Sequence, residues 1–157
     1  MMLLCHSLSN ALLDIKELFS RVIIGWTGFG IVIRNHRGEV LASSAERVES
    51  AFLALILEAL GVLRGLDFAR DSGLLPPIVE SDALRFVNVV NTAPTLADLG
   101  LIVLDIQNVL ALYPGSNVMF VPRSTNQATH CVASFALSAE EDCFLLDDNP
   151  PCLCKPV

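Results

Sequence analysis

Two carboxylates stand where their surroundings could put them to chemical use. Glu58 is the one acid in AFLALILEALGVL, residues 51–63. Ala51, Ala54, Gly61 and Gly65 lie seven and four residues before it and three and seven after it, so all share one helical stripe. A stripe of small residues lets a helix lie close to a sheet and carries the acid toward that surface. A carboxylate buried there needs a cation, a proton or hydrogen-bond donors. The plainer alternative is an acid at the helix rim, reaching water. Asp82 closes the short run IVESD ahead of a helix. Ligands of open α/β sheets gather at the carboxyl ends of strands, but Ser81 or Asp82 could equally cap the helix. Glu80, two residues earlier, would share a face with Asp82. Arg123, Asn126, Gln127, Thr129 and His130 form a polar group after the last apolar run. His130 would approach Asp82 if the two strands are neighbours; otherwise the group is a solvated helix start.

The elements that would carry these residues follow from pattern. A short helix is expected near Ala11–Phe19. From Arg21, VIIGW and FGIVIRN are rich in β-branched and aromatic residues, HRG is a turn, and EVLASSAERV is the partner strand, so Gly28 to Val48 reads as a hairpin. Ser50 to Arg70 is the strongest helix, with Ser50 a candidate N-cap and Gly73 suited to a left-handed stop. IVESD is a strand, and Ala83–Asn91 and Asp98–Leu112 are helices. NVMFVPR is a strand and Asn126–Ala139 the last helix. This order predicts a mixed α/β sheet with a parallel part covered by helices. Residues 1–20 form a poorly defined N-terminal segment, 21–140 the domain, and 141–157 an irregular acidic, proline-containing tail.

The 157 residues fit one domain, and 53% hydrophobic against 17% charged residues describes a packed globule. No apolar run reaches the roughly 20 residues of a membrane span, and MMLLCHSLSN lacks the basic start and apolar core of a secretory signal. A net charge of −7 gives no long-range attraction for phosphate backbones, so any nucleic-acid contact is local and weak. The five cysteines are irregularly spaced and read as reduced thiols of an intracellular protein, in nucleus or cytoplasm. A monomer is expected.

Four stretches, GFGIVIRNHRGEVLAS, LEALGVLRGLDFARDSGL, IVESDALRFVNVVN and VMFVPRSTNQATHCVASFAL, together resemble the ribonuclease H-like domain of plant retrotransposon-type reverse transcriptases and their standalone relatives. The match spans residues 28–137 and includes Arg123, Asn126, His130 and Ala133 as an R-x-x-N-x-x-x-H-x-x-A pattern. The resemblance implies a ribonuclease H-like five-stranded mixed sheet with helices on both faces. It also implies a two-magnesium site for hydrolysing the RNA of an RNA–DNA hybrid, with metals about 4 Å apart activating water and stabilising the leaving oxygen. On it, Glu58 and Asp82 are metal ligands and catalytic residues, His130 takes the last catalytic position, and Arg123 and Asn126 contact substrate. The family's first-strand aspartate, in a pattern N-x-D-[GA]-[AS] about a dozen residues before the glycine matched by Gly28, has no counterpart of that form; Asn10 and Asp14 are the candidates. Magnesium binding is therefore expected to be weak or lost. The reading is a nucleic-acid-binding domain of the RNA–DNA hybrid endoribonuclease class with an incomplete metal site, and its rival is a non-catalytic interaction module or a decayed retroelement-derived protein.

Overall fold

The alternation in WTGFGIVIRN serves two different neighbours. In β2 (Trp26–Asn35), Phe29, Ile31 and Ile33 face one layer of helices, whereas Gly28, Gly30 and Val32 face a single helix on the other side. This computed structural model describes residues 11–16, 25–49, 54–74, 78–92, 97–148 and 152–153, with residues 11–16, 97 and 98 described by their backbone alone. β2 turns back into β3 (Val40–Glu49). The Asn35 side-chain oxygen accepts the amides of Arg37 and Glu39 at 2.9 and 3.0 Å, and Gly38 takes φ +80°. The hairpin is the one expected from the sequence.

β1 (Ala11–Lys16) lies where a short helix is expected. Leu and Ala are good helix formers, but intrinsic propensity is a small preference that pairing overrides. Pairing on both sides, antiparallel to β2 and parallel to β4 (Ile78–Ser81), satisfies the backbone of ALLDIK as a strand. β5 (Asn117–Phe120) adds parallel to β4. The tail also departs from expectation: Cys143–Leu146 is not irregular but forms β6, antiparallel to Ala42–Ala45 of β3. The sheet thus has six strands, in the order β5-β4-β1-β2-β3-β6, rather than five. An apolar, aromatic CFLL covers an edge that β3 would otherwise leave open.

α1 (Ala54–Asp71), α2 (Leu84–Asn91) and α3 (Ala97–Ala111) cover one face, over a core that includes Ile31, Ile33, Val79, Val62, Leu66, Phe86 and Ile106. The Ser50 cap lies outside the described residues. α1 ends as expected, with Gly73 at φ +70° and the Leu74 amide donating to the Ala69 carbonyl at 2.8 Å. α4 (Gln127–Ser138) lies alone on the opposite face, packing Val132 and Ala136 onto Val32 and Ala45. Among the described residues, no helix is long and apolar enough to cross a membrane.

β1, β3, β4 and β5 run one way, β2 and β6 the other. The carboxyl ends of four strands therefore share one end of the sheet. α1 follows β3, α2 follows β4, and α4 follows β5, so three helices begin at that same end.

Candidate active-site end of the sheet

Glu58 stands in the second turn of α1, and its residue is only 7% exposed. That burial sets aside the reading of a rim acid reaching water. Gly61 and Gly65 of its stripe are buried with it, while Ala54 is exposed and Ala51 lies outside the described residues. Its neighbour Leu57 packs with Phe29, Val48 and Leu60, which pins the first turns of α1 beside the amino-terminal half of β2. Glu58 is thereby held at the end of the sheet where β1 and β4 finish.

Asp82 follows the last residue of β4 and is half-buried. It is not a helix cap: Ala83 takes the cap position of α2 without a side-chain bond, and the Ser81 hydroxyl accepts the Ala83 amide at 3.1 Å. Instead, a carboxylate oxygen of Asp82 accepts a long hydrogen bond, 3.4 Å, from the side-chain amide of Asn126. Asn126 is fully buried and its own oxygen accepts from the Thr129 hydroxyl at 2.7 Å. A chain of polar contacts thus joins the end of β4 to the first turn of α4. The condition set by the sequence, that the strands before Asp82 and before this polar group be neighbours, is met by the β4–β5 pairing. His130 sits one position beyond Thr129 on α4 and is half-buried. Arg123 opens a single 3-10 turn, Arg123–Thr125, and is exposed; Gln127 is exposed as well.

α4 can come this close because Gly28 and Gly30 of β2 put no side chains beneath it. A Cβ on Gly30 would stand 2.5 Å from the Ala133 amide nitrogen and 2.6 Å from the Thr129 carbonyl oxygen. The glycines of GFG thus serve as a bed for the helix that carries Asn126, Thr129 and His130.

Of the two sequence candidates on the first strand, Asn10 lies outside the described residues. Asp14 pairs across β1–β4 with Glu80 and across β1–β2 with Val32. The backbone of Lys16, which pairs with Gly30, stands two residues beyond the Asp14–Glu80 step, as that of Asp82 does just past the end of β4. Lys16 is twelve residues before Gly28, so a count back from the GFG motif would have found it. Arg85, exposed in the first turn of α2 three residues after Asp82, was also missed; an exposed basic residue beside a strand-end acid is its signal. Glu80 has its carboxyl pushed above the ordinary range by burial, against the opposing pull of Arg34, and burial likewise lowers Arg34.

The sequence matches the reverse transcriptase-like family over residues 20–136, most of its length. This chain belongs to the reverse transcriptase-like family. The fold of this reverse transcriptase-like domain is that of ribonuclease H. It aligns with the N-terminal RNase H domain of rv2228c from Mycobacterium tuberculosis with a TM-score of 0.67 and 23% identity, over 80% of this chain and 91% of that one. RNase H1 from the archaeon Halobacterium salinarum gives 0.67 and 20%, over 79% and 97%. LC11-RNase H1, isolated from compost by a metagenomic approach and solved in complex with an RNA/DNA hybrid, gives 0.68 and 19%, over 80% and 96%. No curated protein matches the sequence.

Proposed function

We propose that this reverse transcriptase-like domain binds nucleic acid, with an RNA–DNA hybrid as its preferred duplex, and that its hydrolytic centre is incomplete. The observation that carries the reading is the polar chain Asp82–Asn126–Thr129, which joins the end of β4 to the first turn of α4, with Glu58 buried in the second turn of α1, a helix that begins at the same end of the sheet. A structural neighbour of the same fold is solved with an RNA/DNA hybrid. Arg85 and Arg123, both exposed, flank Asp82 and Asn126 and would contact phosphates. On the other side of this end, Glu140, Glu141 and Asp142 gather beside Trp26 and Arg47, so a duplex would approach from the β4–β5 side.

The family resemblance implies two magnesium ions. Glu58 and Asp82 offer hard oxygen ligands. Among the described residues, however, no three His, Cys, Asp or Glu side chains stand together as a group able to hold a metal, and Asp82 already accepts from the Asn126 amide. Among the described side chains, Glu58 and Asp82 do not by themselves make up the donor set of a two-metal centre. Origin from a plant retroelement and an intracellular site of action are parts of the same proposal, resting on the motifs of residues 28–137.

The test is fluorescence anisotropy of a labelled RNA–DNA duplex over a salt series, with a gel assay of the same duplex in magnesium. With two flanking arginines the slope of log K against log salt should be shallow, about −2. Arg123→Ala should weaken binding and lower that slope by about 1. Absence of binding even at low salt would leave the fold serving protein contacts alone. Cleavage that disappears in Asp82→Asn would show an intact enzyme.

A further inference from the structure

We propose that the outer edge of β6 receives an extended segment of another protein, a short apolar run bracketed on both sides by lysine or arginine, which adds to the sheet as a further strand. β6 ends the strand order, and among the described residues no strand pairs with its far side. The Asp147 amide donates to the Leu41 carbonyl of β3. Backbone groups alternate in direction along an antiparallel strand, so those of Cys143 and Leu145 also turn toward β3. The N–H and C=O groups of Phe144 and Leu146 then turn outward. These outward groups are the ladder that an added strand takes up.

The side chains of the same two residues supply apolar contact. Phe144 and Leu146 are 57% and 60% exposed. The Phe144 ring lies 6.0 Å from that of Phe68 on α1, and both residues of β6 line a groove of about 510 Å³ with Phe68, Arg64 and Asp67. Exposed apolar side chains grouped over a groove mark a docking surface. A strand laid along β6 would set its own apolar side chains, two residues apart, beside Phe144 and Leu146. The other face is already filled, because Cys143 packs with Cys152 and Leu153 against the α4 core.

Charge selects the occupant. Glu140, Glu141 and Asp142 precede CFLL, and Asp147 and Asp148 follow it; all five are exposed. The sequence has no lysine or arginine between Arg123 and Lys155. Arg47, stacked over the Trp26 ring at 4.2 Å, offsets part of the charge at the first end. In the groove, Arg64 pairs with Glu46 and Arg70 with Asp67, so the surplus negative charge sits at the two ends of β6. A second copy paired antiparallel through β6 would bring Glu140–Asp142 of one chain against Asp147 and Asp148 of the other, and like charges oppose that pairing. Nucleic acid meets the same repulsion. An apolar run with basic residues at each end matches the apolar strand and both acidic ends. β5, on whose side a duplex would approach, is the opposite edge of the sheet, so this inference does not depend on hybrid binding.

The test uses the full chain and a fluorescein-labelled peptide, KKVTVTVKK, read by anisotropy over a salt series. The parent should bind it saturably, and more weakly as salt rises. Phe144→Ser should weaken binding about tenfold. Glu140→Gln, Glu141→Gln and Asp148→Asn together should weaken it and flatten the salt dependence; Asp142 is kept because it accepts the Arg47 amide at 2.9 Å. The same peptide with glutamate in place of lysine, or with N-methyl groups on its valines, should not bind. These two peptides probe the parent itself and decide the question if Phe144→Ser does not fold. No binding of KKVTVTVKK at about 1 mM overturns the inference. So does binding left unchanged by N-methylation or by Phe144→Ser, since charge alone would then hold the peptide. Self-association of the parent in analytical ultracentrifugation, lost in Phe144→Ser, overturns it in favour of a second copy.

Discussion

Glu80 shows how burial acts on one acid of this sheet. Its carboxyl lies above the ordinary 4.5 because burial penalises the charged form more than Arg34 favours it. A carboxyl with a raised folded pKa binds its proton more tightly in the fold than in the unfolded chain. Its contribution to stability is therefore complete below 4.5 and is lost as pH rises through the folded value. Glu80→Gln keeps the shape and removes the charge, so its melting temperature should exceed that of the parent near about pH 7, and the difference should close near about pH 4. A difference that stays constant across that range would mean that burial of Glu80 is not what the substitution relieves. Asn126 behaves differently, because it is buried and satisfied at both ends by Asp82 and Thr129.

At the scale of elements, the close contact of α4 with β2 controls the site. Gly30→Ala would force a methyl group against the backbone of α4 at Thr129 and Ala133, where no flexible side chain can yield. The expected loss is about 2–3 kcal/mol in urea denaturation, with a parallel loss of hybrid affinity as the helix carrying Asn126 and His130 shifts. Gly100→Ala is the contrast. It lies inside α3 with open space around its Cβ, and should stabilise by about 0.5–1 kcal/mol through helix propensity. Equal effects of the two substitutions would refute the packing argument. On the other face, Arg64 of α1 pairs with Glu46 of β3, whose second oxygen accepts from the Ser44 hydroxyl at 2.9 Å, and it lies 5.2 Å from the Phe29 ring centroid. This contact ties α1 to β3 as well as to β2.

For the whole molecule, the added strand is structural. β6 pairs with Ala42–Ala45, the Asp147 amide donates to the Leu41 carbonyl at 2.8 Å, and Cys143, Cys152 and Leu153 pack against the α4 core. The Cys131 thiol donates to the Cys152 carbonyl at 3.0 Å. Ending the chain after Asp142 removes all of these contacts and leaves β3 as a bare edge. The truncated protein should melt on the order of 5 °C lower and should aggregate with rising concentration, as read by differential scanning calorimetry and light scattering. An unchanged melting temperature would show that the tail adds nothing to the domain. Phe144 and Leu146, which stay exposed on β6, are the cost of closing the edge with so apolar a strand.

Much of this was determined by the sequence itself. The hairpin, the long helix with its Gly73 stop, the strand ending at Asp82 and the last helix follow from local rules, because turn chemistry, helix periodicity and strand alternation act over a few residues. The motifs of residues 28–137 carried the ribonuclease H-like fold. Only the tertiary structure decided the rest. ALLDIK is a strand because two neighbours pair with it, and CFLL is a strand because β3 offers an edge; neither partner is local in sequence. Glu58 is buried because α1 lies flat on the sheet, which spacing alone left open. The level of Lys16 with Asp82 is a matter of register between strands more than sixty residues apart in the chain, and register is set by pairing across the sheet, not by the residues of either strand taken alone.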